Sequence, residues 1–509
     1  MSLLDSLQMK WERVDPRLRN TIEALGKKIP LNRMIRKVPF LEKKIEDEIG
    51  KILKHIHFSA PYLDGVRKFR ELPRSGLAPE TILPILESIS EHETKKWQDG
   101  FVSGAVYHGD ADHIQFLNKV YSLFSQTNPL HSDLWPSLNK FEAEIVAMTA
   151  DLLGASHTGD DICGCVTSGG SESILLAMKT YRDWAKETKG ISQPELVLPV
   201  TAHAAFEKAC QYFKIKKISV PIDQNGMISV ADVEKAITTN TIALVASAPN
   251  FPHGIVDPVA DLARLAQENQ VGLHVDACLG AFILPFVKDA AGLPPFDFSL
   301  TGVTSMSADT HKFGYASKGS SVILYRSPIL RRFQYFVCTD WPGGLYTSPT
   351  FAGSRSGAVV AQCWAAMVNA GWEGYERAAK EIYATTQRLR EEIERIPHLH
   401  IIGNPLFIIA LKSDTLNIFS ILGHMAEKGW SLNGLHRPNA MHLCVTRRHT
   451  QEGVADRFVE DLRQSVQMVE REPGKKPGLA PIYGLASSLP ARGLVGELLR
   501  RYLDRLYQV

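Results

Sequence analysis

Short apolar runs alternate with longer amphipathic runs between residues 105 and 370. The short runs are rich in β-branched residues and are bounded by Gly, Pro or polar residues, a pattern that predicts buried strands. The clearest strands are Pro194–Val200, Ile215–Val220, Ile242–Ala246 and Val271–Val275. The amphipathic runs predict helices at Ser173–Thr188, Ala204–Phe213, Val230–Ile237 and Pro258–Gln267. This alternation predicts a large α/β domain at 105–370, with a mainly parallel sheet flanked by helices.

Different patterns flank this domain on both sides. Residues 1–104 predict an N-terminal helical arm interrupted by prolines, with an amphipathic helix at Phe40–Leu53. That helix is expected to pack on protein or, as the alternative, to lie on a membrane surface. Residues 371–509 predict a small α+β domain with helices Arg377–Ile396, Ile418–Lys428, Glu452–Glu470 and Leu494–Tyr507, and strands Leu399–Ile402, Leu406–Leu411 and Met441–Val445. A Pro- and Gly-rich segment, Glu472–Gly478, precedes the last helix.

Lys312 lies in the stretch Ser307–Tyr325, between strand-like runs at Gly302–Ser307 and Ser320–Tyr325. Burial between two strands removes water from the ammonium group, and so we expect the pKa of Lys312 to fall. An amine with a lowered pKa is nucleophilic enough to form a Schiff base with an aldehyde. A solvated loop lysine is the alternative, and the residues upstream decide between the two interpretations.

The motif TSGGSES, residues Thr167–Ser173, stands directly before a helical run. Glycines let the backbone approach a ligand closely, and the free amides of a helix N-terminus, with hydroxyls beside them, suit a phosphate group. A plain helix-capping turn has a similar composition. Ser168, Gly169 and Gly170 are therefore candidates for a phosphate site.

Two further candidates follow predicted strands. Asp276 comes after the strand Val271–Val275, where a buried carboxylate is costly unless it is paired with a cation. A protonated pyridine nitrogen is such a cation. His203 follows the strand that ends at Val200, and its flat ring is suited to stacking on an aromatic group. A helix N-cap for Asp276 and a purely structural role for His203 are the alternatives.

Composition narrows the class of protein. The chain has 509 residues, of which 44% are hydrophobic and 22% are charged, so it is an ordinary globular protein too long for one core. A net charge of +2 favours neither nucleic acid nor bulk membrane as a partner. Seven scattered cysteines predict reduced thiols and a cytoplasmic location. No metal site, signal peptide or transmembrane segment is predicted.

The candidates occur in one order along one α/β domain: phosphate turn, His203, Asp276 and Lys312. In TSGGSES, HAAFEKA, HVDA and HK the sequence resembles the group II pyridoxal-phosphate enzymes, which have the aspartate-aminotransferase fold (fold type I). Longer stretches, including SGAVYHGD, NPLHSDLWPSLNKFEAEIV, HVDACLGAF and TDWPGGLYTSPTFAGSRSG, are similar to the sphingosine-1-phosphate lyases of that group. The resemblance runs from about Ser103 to the C-terminus and is to the soluble bacterial forms. Ser171 and Ala281 depart from it, where the family commonly has Thr and Gly.

The resemblance implies a role for each matching residue. Lys312 would carry pyridoxal 5'-phosphate, Asp276 would pair with its ring nitrogen and His203 would stack on its ring. The cofactor phosphate would lie among Ser168, Gly169, Gly170 and His311, with Gly353 and Ser354 reaching it from a second subunit. The substrate would be surrounded by Tyr107, Asn128, His131, Lys318 and Tyr346.

The resemblance also implies the reaction. A phosphorylated sphingoid base would be cleaved between C2 and C3 into a long-chain aldehyde and phosphoethanolamine, in a homodimer with shared active sites and at most transient membrane contact. Lys312, Tyr107 and Tyr346 are the candidates for proton transfer, and Lys318 and His131 for holding the substrate phosphate. A pyridoxal-phosphate-dependent amino-acid decarboxylase is the alternative, followed by a cofactor-binding protein without catalysis.

Overall fold

The computed structural model describes residues 60–472 and 492–508. The predicted helix Phe40–Leu53 and residues 473–478 of the Pro- and Gly-rich segment lie outside the described residues. Contacts within the chain define two units. The larger comprises Ser103–Leu411 and His442–Val459, and the smaller includes the described residues of 60–102, 412–441 and 460–508. The domain bounds at 104 and 370 stay a prediction.

A seven-stranded sheet forms the centre of the larger unit. Its strands are β1 (Cys163–Thr167), β2 (Glu195–Pro199), β3 (Lys216–Val220), β4 (Thr241–Ser247), β5 (Gly272–Asp276), β6 (Ser305–Ala308) and β7 (Ser321–Tyr325). They lie in the order β1–β7–β6–β5–β4–β2–β3. Strands β2 to β6 are parallel, whereas β7 is antiparallel to both β6 and β1. The mainly parallel sheet predicted from the sequence is thereby confirmed.

Strand β1 was not among the predicted strands. Its sequence, Cys-Gly-Cys-Val-Thr, contains a glycine and only one large aliphatic side chain, so the apolar run that marks a buried strand is missing. A Cβ atom on Gly164 would lie 2.1 Å from the Ile323 carbonyl oxygen of β7. Glycine is thus required here because the neighbouring backbone approaches closely.

Helices flank the strands. In chain order they are α1 (Pro79–Gln98), α2 (Ala111–Phe124), α3 (Pro136–Leu152), α4 (Gly170–Lys189), α5 (Ala204–Phe213), α6 (Val230–Ala236), α7 (Val259–Glu268), α8 (Leu284–Val287), α9 (Pro328–Arg331), α10 (Gly357–Glu394), α11 (Ile418–Glu427), α12 (Val454–Arg471) and α13 (Arg492–Leu506). Helices α4 to α7 are those predicted between the strands. Helix α10 begins about twenty residues before the predicted start and is interrupted at Gly371, whose φ of 58° and ψ of −179° are not helical.

The remaining strands are short. Strands β8 (Phe336–Cys338) and β9 (Tyr346–Ser348) form an antiparallel pair. Strands β10 (His400–Ile401), β11 (Ile408–Lys412), β12 (Asn433–Leu435) and β13 (Ala440–Cys444) form a four-stranded sheet in the order β10–β11–β13–β12. Among residues 60–472 and 492–508, no helix combines the length and the apolar character needed to cross a membrane.

The core of the larger unit explains why the strand ends are held firmly. Every residue of β4 is buried, and Phe206, Tyr181 and Leu196 pack in one apolar cluster beside the sheet. Full burial of one such apolar side chain stabilises the fold by roughly 1.5–3 kcal/mol. The parallel register of β5 and β6 sets Asp276 level with Ser307, so the loops after these strands begin at one edge of a rigid sheet.

Candidate active site

A cavity of about 350 Å³ opens at that edge. Its walls include residues from four loops that are far apart in the sequence: Ser168, Gly169, Gly170, His203, Asp276, His311 and Lys312. These are all of the cofactor candidates between residues 168 and 312. The structure therefore brings together the groups whose sequence signals were separately weak.

The turn between β1 and α4 forms one wall of this cavity. Gly169 has a φ of 154°, which residues with a Cβ atom rarely adopt. A Cβ atom on Gly170 would lie 2.7 Å from Asp309 Oδ1, so no larger residue fits there without a shift. The Glu172 carboxylate accepts a hydrogen bond from the Ser168 amide, with Oε2 2.6 Å from the nitrogen, and closes the turn. Helix α4 thus presents its N-terminus to the cavity, as an anion site requires.

Asp276 lies at the end of a buried chain of hydrogen bonds. The Asp276 Oδ1 atom accepts a hydrogen bond from Ser307 Oγ at 3.2 Å. Because the Ser307 hydroxyl has only one proton to donate, the same oxygen must accept a hydrogen bond from His274 Nε2 at 3.2 Å. Burial lowers the pKa of His274 to about 4, so the ring is neutral and its Nδ1 accepts from Ser305 Oγ at 2.7 Å. Tyr181 OH then donates to Ser305 Oγ at 2.6 Å. In this series of hydrogen bonds, each group donates to the next one on the way to the Asp276 carboxylate.

His203 and Asp276 each accept a hydrogen bond from a backbone amide two residues further along the chain. His203 Nδ1 accepts from the Ala205 amide at 3.1 Å and caps α5. Asp276 Oδ1 accepts from the Cys278 amide at 3.1 Å. These bonds fix the orientation of both side chains while each still lines the cavity. Capping and a functional role are therefore compatible at His203, whereas Asp276 caps no helix, because the next helix is α8 with Ile283 as its N-cap.

The pKa of Lys312 is shifted upwards, so the expected downward shift was wrong. Lys312 Nζ lies 2.8 Å from Oδ2 of Asp309, whose side chain is 2% exposed. Burial alone lowers the pKa of the lysine, but the adjacent carboxylate more than offsets this and holds the pKa above its ordinary value. An opposite charge at this distance favours the charged form more strongly than desolvation disfavours it. Lys312 is thus an ammonium group in the cofactor-free protein.

Three other candidates surround Lys312. His311 donates from Nδ1 to the Ser320 carbonyl oxygen, and burial lowers the pKa of its ring. Lys318 Nζ lies 4.8 Å from the centre of the Tyr107 ring. Burial, followed by the positive charge of Lys312, lowers the pKa of Lys318 to about 8. Burial also raises the pKa of the Tyr107 phenol well above 10, so this side chain keeps its proton at neutral pH.

The other predicted site residues form a second group. Asn128 Nδ2 donates to Ser354 Oγ at 3.1 Å, and the Tyr346 hydroxyl lies 2.9 Å from the point that a Cβ atom on Gly353 would occupy. His131 follows in the same turn, where its amide donates to the Asn128 carbonyl oxygen at 3.1 Å. None of these five residues is among those lining the Lys312 cavity.

Sequence reasoning missed two carboxylates that hold this architecture. Glu172 Oε1 accepts from the Phe351 amide at 2.9 Å, so one side chain joins the phosphate turn to the segment before Gly353. Asp309, the partner of Lys312, was also missed. Its signal was present, because an acidic residue three positions before the lysine directly follows a predicted strand, β6, which is buried along its whole length.

Comparison with known proteins agrees with this geometry. Residues 93–407 match the family model described as the pyridoxal-dependent decarboxylase conserved domain. Sphingosine-1-phosphate lyase 1 of mouse is 45% identical over 483 residues, covering 94% of this chain and 84% of the mouse protein. The chain belongs to the sphingosine-1-phosphate lyases of the pyridoxal-dependent decarboxylase family.

Solved structures of that family show the same fold. A sphingosine-1-phosphate lyase of Burkholderia pseudomallei superposes with a TM-score of 0.81 at 41% identity, covering 88% of this chain and 99% of the other. A glutamate decarboxylase of Lactobacillus brevis superposes with a TM-score of 0.69 at 19% identity, covering 81% and 97%. The second comparison supports the fold alone. The predicted fold type I is confirmed.

The cavity fits the cofactor that the family name implies, pyridoxal 5'-phosphate. It offers a cradle of glycines at a helix N-terminus for the phosphate, a carboxylate from Asp276 for the ring nitrogen and an amine from Lys312 for the aldehyde. Asp309 Oδ1 is buried without a hydrogen-bond partner in the part of the chain that the structure describes. Within residues 60–472 and 492–508, no group of His, Cys, Asp and Glu side chains is arranged to hold a metal ion.

Proposed function

We propose that this protein cleaves phosphorylated sphingoid bases, such as sphingosine 1-phosphate, into a long-chain aldehyde and phosphoethanolamine. The observation that carries the proposal is one cavity lined by the glycine turn, His203, Asp276 and Lys312, in a chain 45% identical to a protein named as such a lyase. An amino-acid decarboxylase is the weaker candidate because the decarboxylase comparison supports only the shared fold.

Several residues that line the cavity have distinct tasks in this proposal. Lys312 would hold the cofactor through its amine, and the turn at Ser168–Gly170 with His311 would hold its phosphate. Asp276, supported by Ser307, would keep the ring nitrogen protonated. When bound, the cofactor supplies an electron sink for the electron pair left on C2 when the C2–C3 bond breaks.

Proton transfer and substrate binding fall to the residues around Lys312. Cleavage needs a group that takes the proton of the substrate's 3-hydroxyl and a group that returns a proton to C2. Tyr107 is protonated in the free protein and so enters the reaction as a hydrogen-bond donor. Lys318 supplies a positive charge for the substrate phosphate, because its ammonium lies over the Tyr107 ring and close enough to Lys312 for that charge to lower its pKa.

We also propose a homodimer with shared active sites. Gly353 and Ser354 would serve the cavity of the second subunit, as the resemblance implies, and neither lines the Lys312 cavity of its own chain. Tyr346 would go with them, because its hydroxyl lies 2.9 Å from the point that a Cβ atom on Gly353 would occupy. Large apolar side chains near them are exposed, including Leu345 at 80% and Val337 at 61%. Clustered exposed apolar residues mark interaction surfaces, and a second copy of the chain would cover them.

The enzyme is proposed to work in the cytoplasm. All seven cysteines are free thiols, and six of them are buried. Reduced thiols of this kind suit a reducing compartment.

Product analysis tests the reaction. Purified protein loaded with cofactor is incubated with sphingosine 1-phosphate, and products are identified by mass spectrometry beside Lys312→Ala and the exposed control Lys235→Ala. Aldehyde and phosphoethanolamine should form with wild type and with Lys235→Ala, but not with Lys312→Ala. Intact substrate with cofactor-loaded wild type would reject the lyase, and carbon dioxide released from an amino acid would establish the decarboxylase.

Subunit complementation tests the shared site. Lys312→Ala and Tyr346→Ala are each expected to be inactive alone. If the two residues serve one site from different subunits, mixed dimers contain one intact site, and random mixing restores about a quarter of wild-type activity. Absence of recovery in dimers shown to be mixed would place both residues in the site of a single chain.

A further inference from the structure

Asp309 contacts the reactive lysine but has no role in the reaction described above. It follows β6 directly and is three residues before Lys312, in the loop that leads to β7. Its Oδ2 lies 2.8 Å from Lys312 Nζ, while its Oδ1 is buried without a hydrogen-bond partner in the described part of the chain. The carboxylate also lies against Gly170, where an added Cβ atom would be 2.7 Å from Oδ1. The ion pair is therefore enclosed by the phosphate turn.

The other titratable groups facing Lys312 do not replace Asp309 as a counter-ion. Burial raises the pKa values of the Cys278 thiol, the Tyr107 phenol and the Cys444 thiol, so all three keep their protons at neutral pH. His311 is neutral because burial lowers its pKa, and Lys318 is itself a cation when protonated. Within the described residues, Asp309 is the one carboxylate within 4.0 Å of Lys312 Nζ.

We propose that Asp309 is a positioning residue that keeps the Lys312 amine protonated, and anchored beside the phosphate turn, whenever that amine has no covalent partner. The inference rests on the proposed function and deepens it. It assigns Lys312, once the substrate amine has displaced it, the role of proton donor to the substrate carbon rather than of base. The proton of the 3-hydroxyl must then go to another group.

The arrangement has a physical purpose in a lysine that alternates between bound and free states. A free lysine chain has several rotatable bonds, and an ion pair at 2.8 Å between Nζ and Oδ2 holds it close to where it must react again. The same pair makes the first capture of cofactor slower, because an ammonium group is not a nucleophile until it loses a proton. The ion pair with Asp309 therefore holds the Lys312 amine in place but lowers its reactivity as a nucleophile.

Competitive labelling of amines tests the proposal in the full-length protein after removal of its cofactor. Brief pulses of acetic anhydride from pH 7 to pH 11, followed by peptide mass spectrometry, give the pH at which each lysine becomes reactive. In wild type, Lys318 should react from about pH 8, and Lys312 only at a pH above its ordinary value of 10.5. Lys312 reacting at the same pH as Lys318, or at a lower pH, would overturn the proposal without any variant.

The variant Asp309→Asn removes the charge and keeps the shape. Loss of a close carboxylate shifts a lysine pKa by about 1–3 units, so labelling of Lys312 at pH 8 should rise about 10- to 1,000-fold. Asp297→Asn is the matched control, because Asp297 is also buried but bonds to Ser299 instead, and it should leave Lys312 unchanged. A change of less than twofold in Asp309→Asn, with circular dichroism like that of wild type, would contradict the inference.

Failure of this inference can be distinguished from failure of the proposed function. Labelling needs neither cofactor nor turnover, whereas the lyase assignment depends on products formed by the loaded wild type. Wild type that forms the products but shows early labelling of Lys312 refutes only the role of Asp309. Wild type that shows late labelling but forms no aldehyde refutes only the lyase, and the ion pair still sets the state of the lysine.

Discussion

The charge of Lys318 should set the upper pH limit for substrate binding. Burial and the neighbouring Lys312 lower the pKa of Lys318 to about 8, against an ordinary value of 10.5. A lysine with a depressed pKa is charged below that pKa and loses its charge as the pH rises through it. From pH 7 to pH 9, the charged fraction of such a group falls about tenfold. We therefore expect KM for the phosphorylated substrate to rise about tenfold over this interval, with little change in kcat.

The size of the change in KM depends on the electrostatic attraction between Lys318 and the substrate phosphate. An ammonium group about 4 Å from a phosphate oxygen contributes about 4 kcal/mol at an effective dielectric constant of 20, an upper bound of about a thousandfold in affinity. Screening by water reduces this near an open cavity. Lys318→Ala should thus raise KM by about 10- to 100-fold and change cofactor affinity less than threefold. Lys318→Arg is the matched variant, since its guanidinium stays charged up to pH 12, and it should remove the pH dependence.

Initial rates of aldehyde formation at several substrate concentrations, from pH 6.5 to pH 9.5, give KM and kcat for each variant. Cofactor affinity is measured separately by titration of the cofactor absorption. A wild-type KM that stays constant across this range would refute the assigned role. Saturation kinetics of Lys318→Ala that match wild type would refute it independently.

Further predictions concern the supports of the site. Ser307→Ala removes a hydrogen bond to Asp276 and should weaken cofactor binding by about 1.5–3 kcal/mol, measured by equilibrium titration. Unchanged affinity and an unchanged cofactor spectrum would show that the hydrogen bond from Ser307 does not support Asp276 in binding the cofactor. Gly170→Ala places a Cβ atom 2.7 Å from Asp309 and should cost about 1–3 kcal/mol of stability, measured by urea unfolding; equal midpoints would show that the turn has room. Burial raises the pKa of Asp257 to about 7 from 3.8. As the pH rises between these values, the Asp257 carboxyl loses its proton in the unfolded protein but keeps it in the folded protein, and the free energy of unfolding falls. Asp257→Asn should therefore raise the urea midpoint at pH 8 but not at pH 4, and equal gains at both would contradict this sign.

The chain itself determined the local elements and the chemistry. Helix α5, Ala204–Phe213, has the predicted bounds, and β2 to β7 occur where apolar β-branched runs predicted strands. These elements were predictable because period and propensity act within a few residues. Lys312 and Asp276 were found because each follows a predicted strand, and parallel strands gather their carboxyl ends at one edge. The glycine turn was found from its glycines and hydroxyls directly before a helical run.

Only the tertiary structure decided which groups meet. It paired Lys312 with Asp309 and thereby reversed the expected direction of the lysine pKa. It linked Asp276 to His274 through Ser307, and it joined Asn128 to Ser354, neither of which lines the Lys312 cavity. Coulomb energy and desolvation depend on distances of a few ångströms between side chains. Such distances are set by the packing of strands and loops that are remote in the sequence, so no local pattern encodes them.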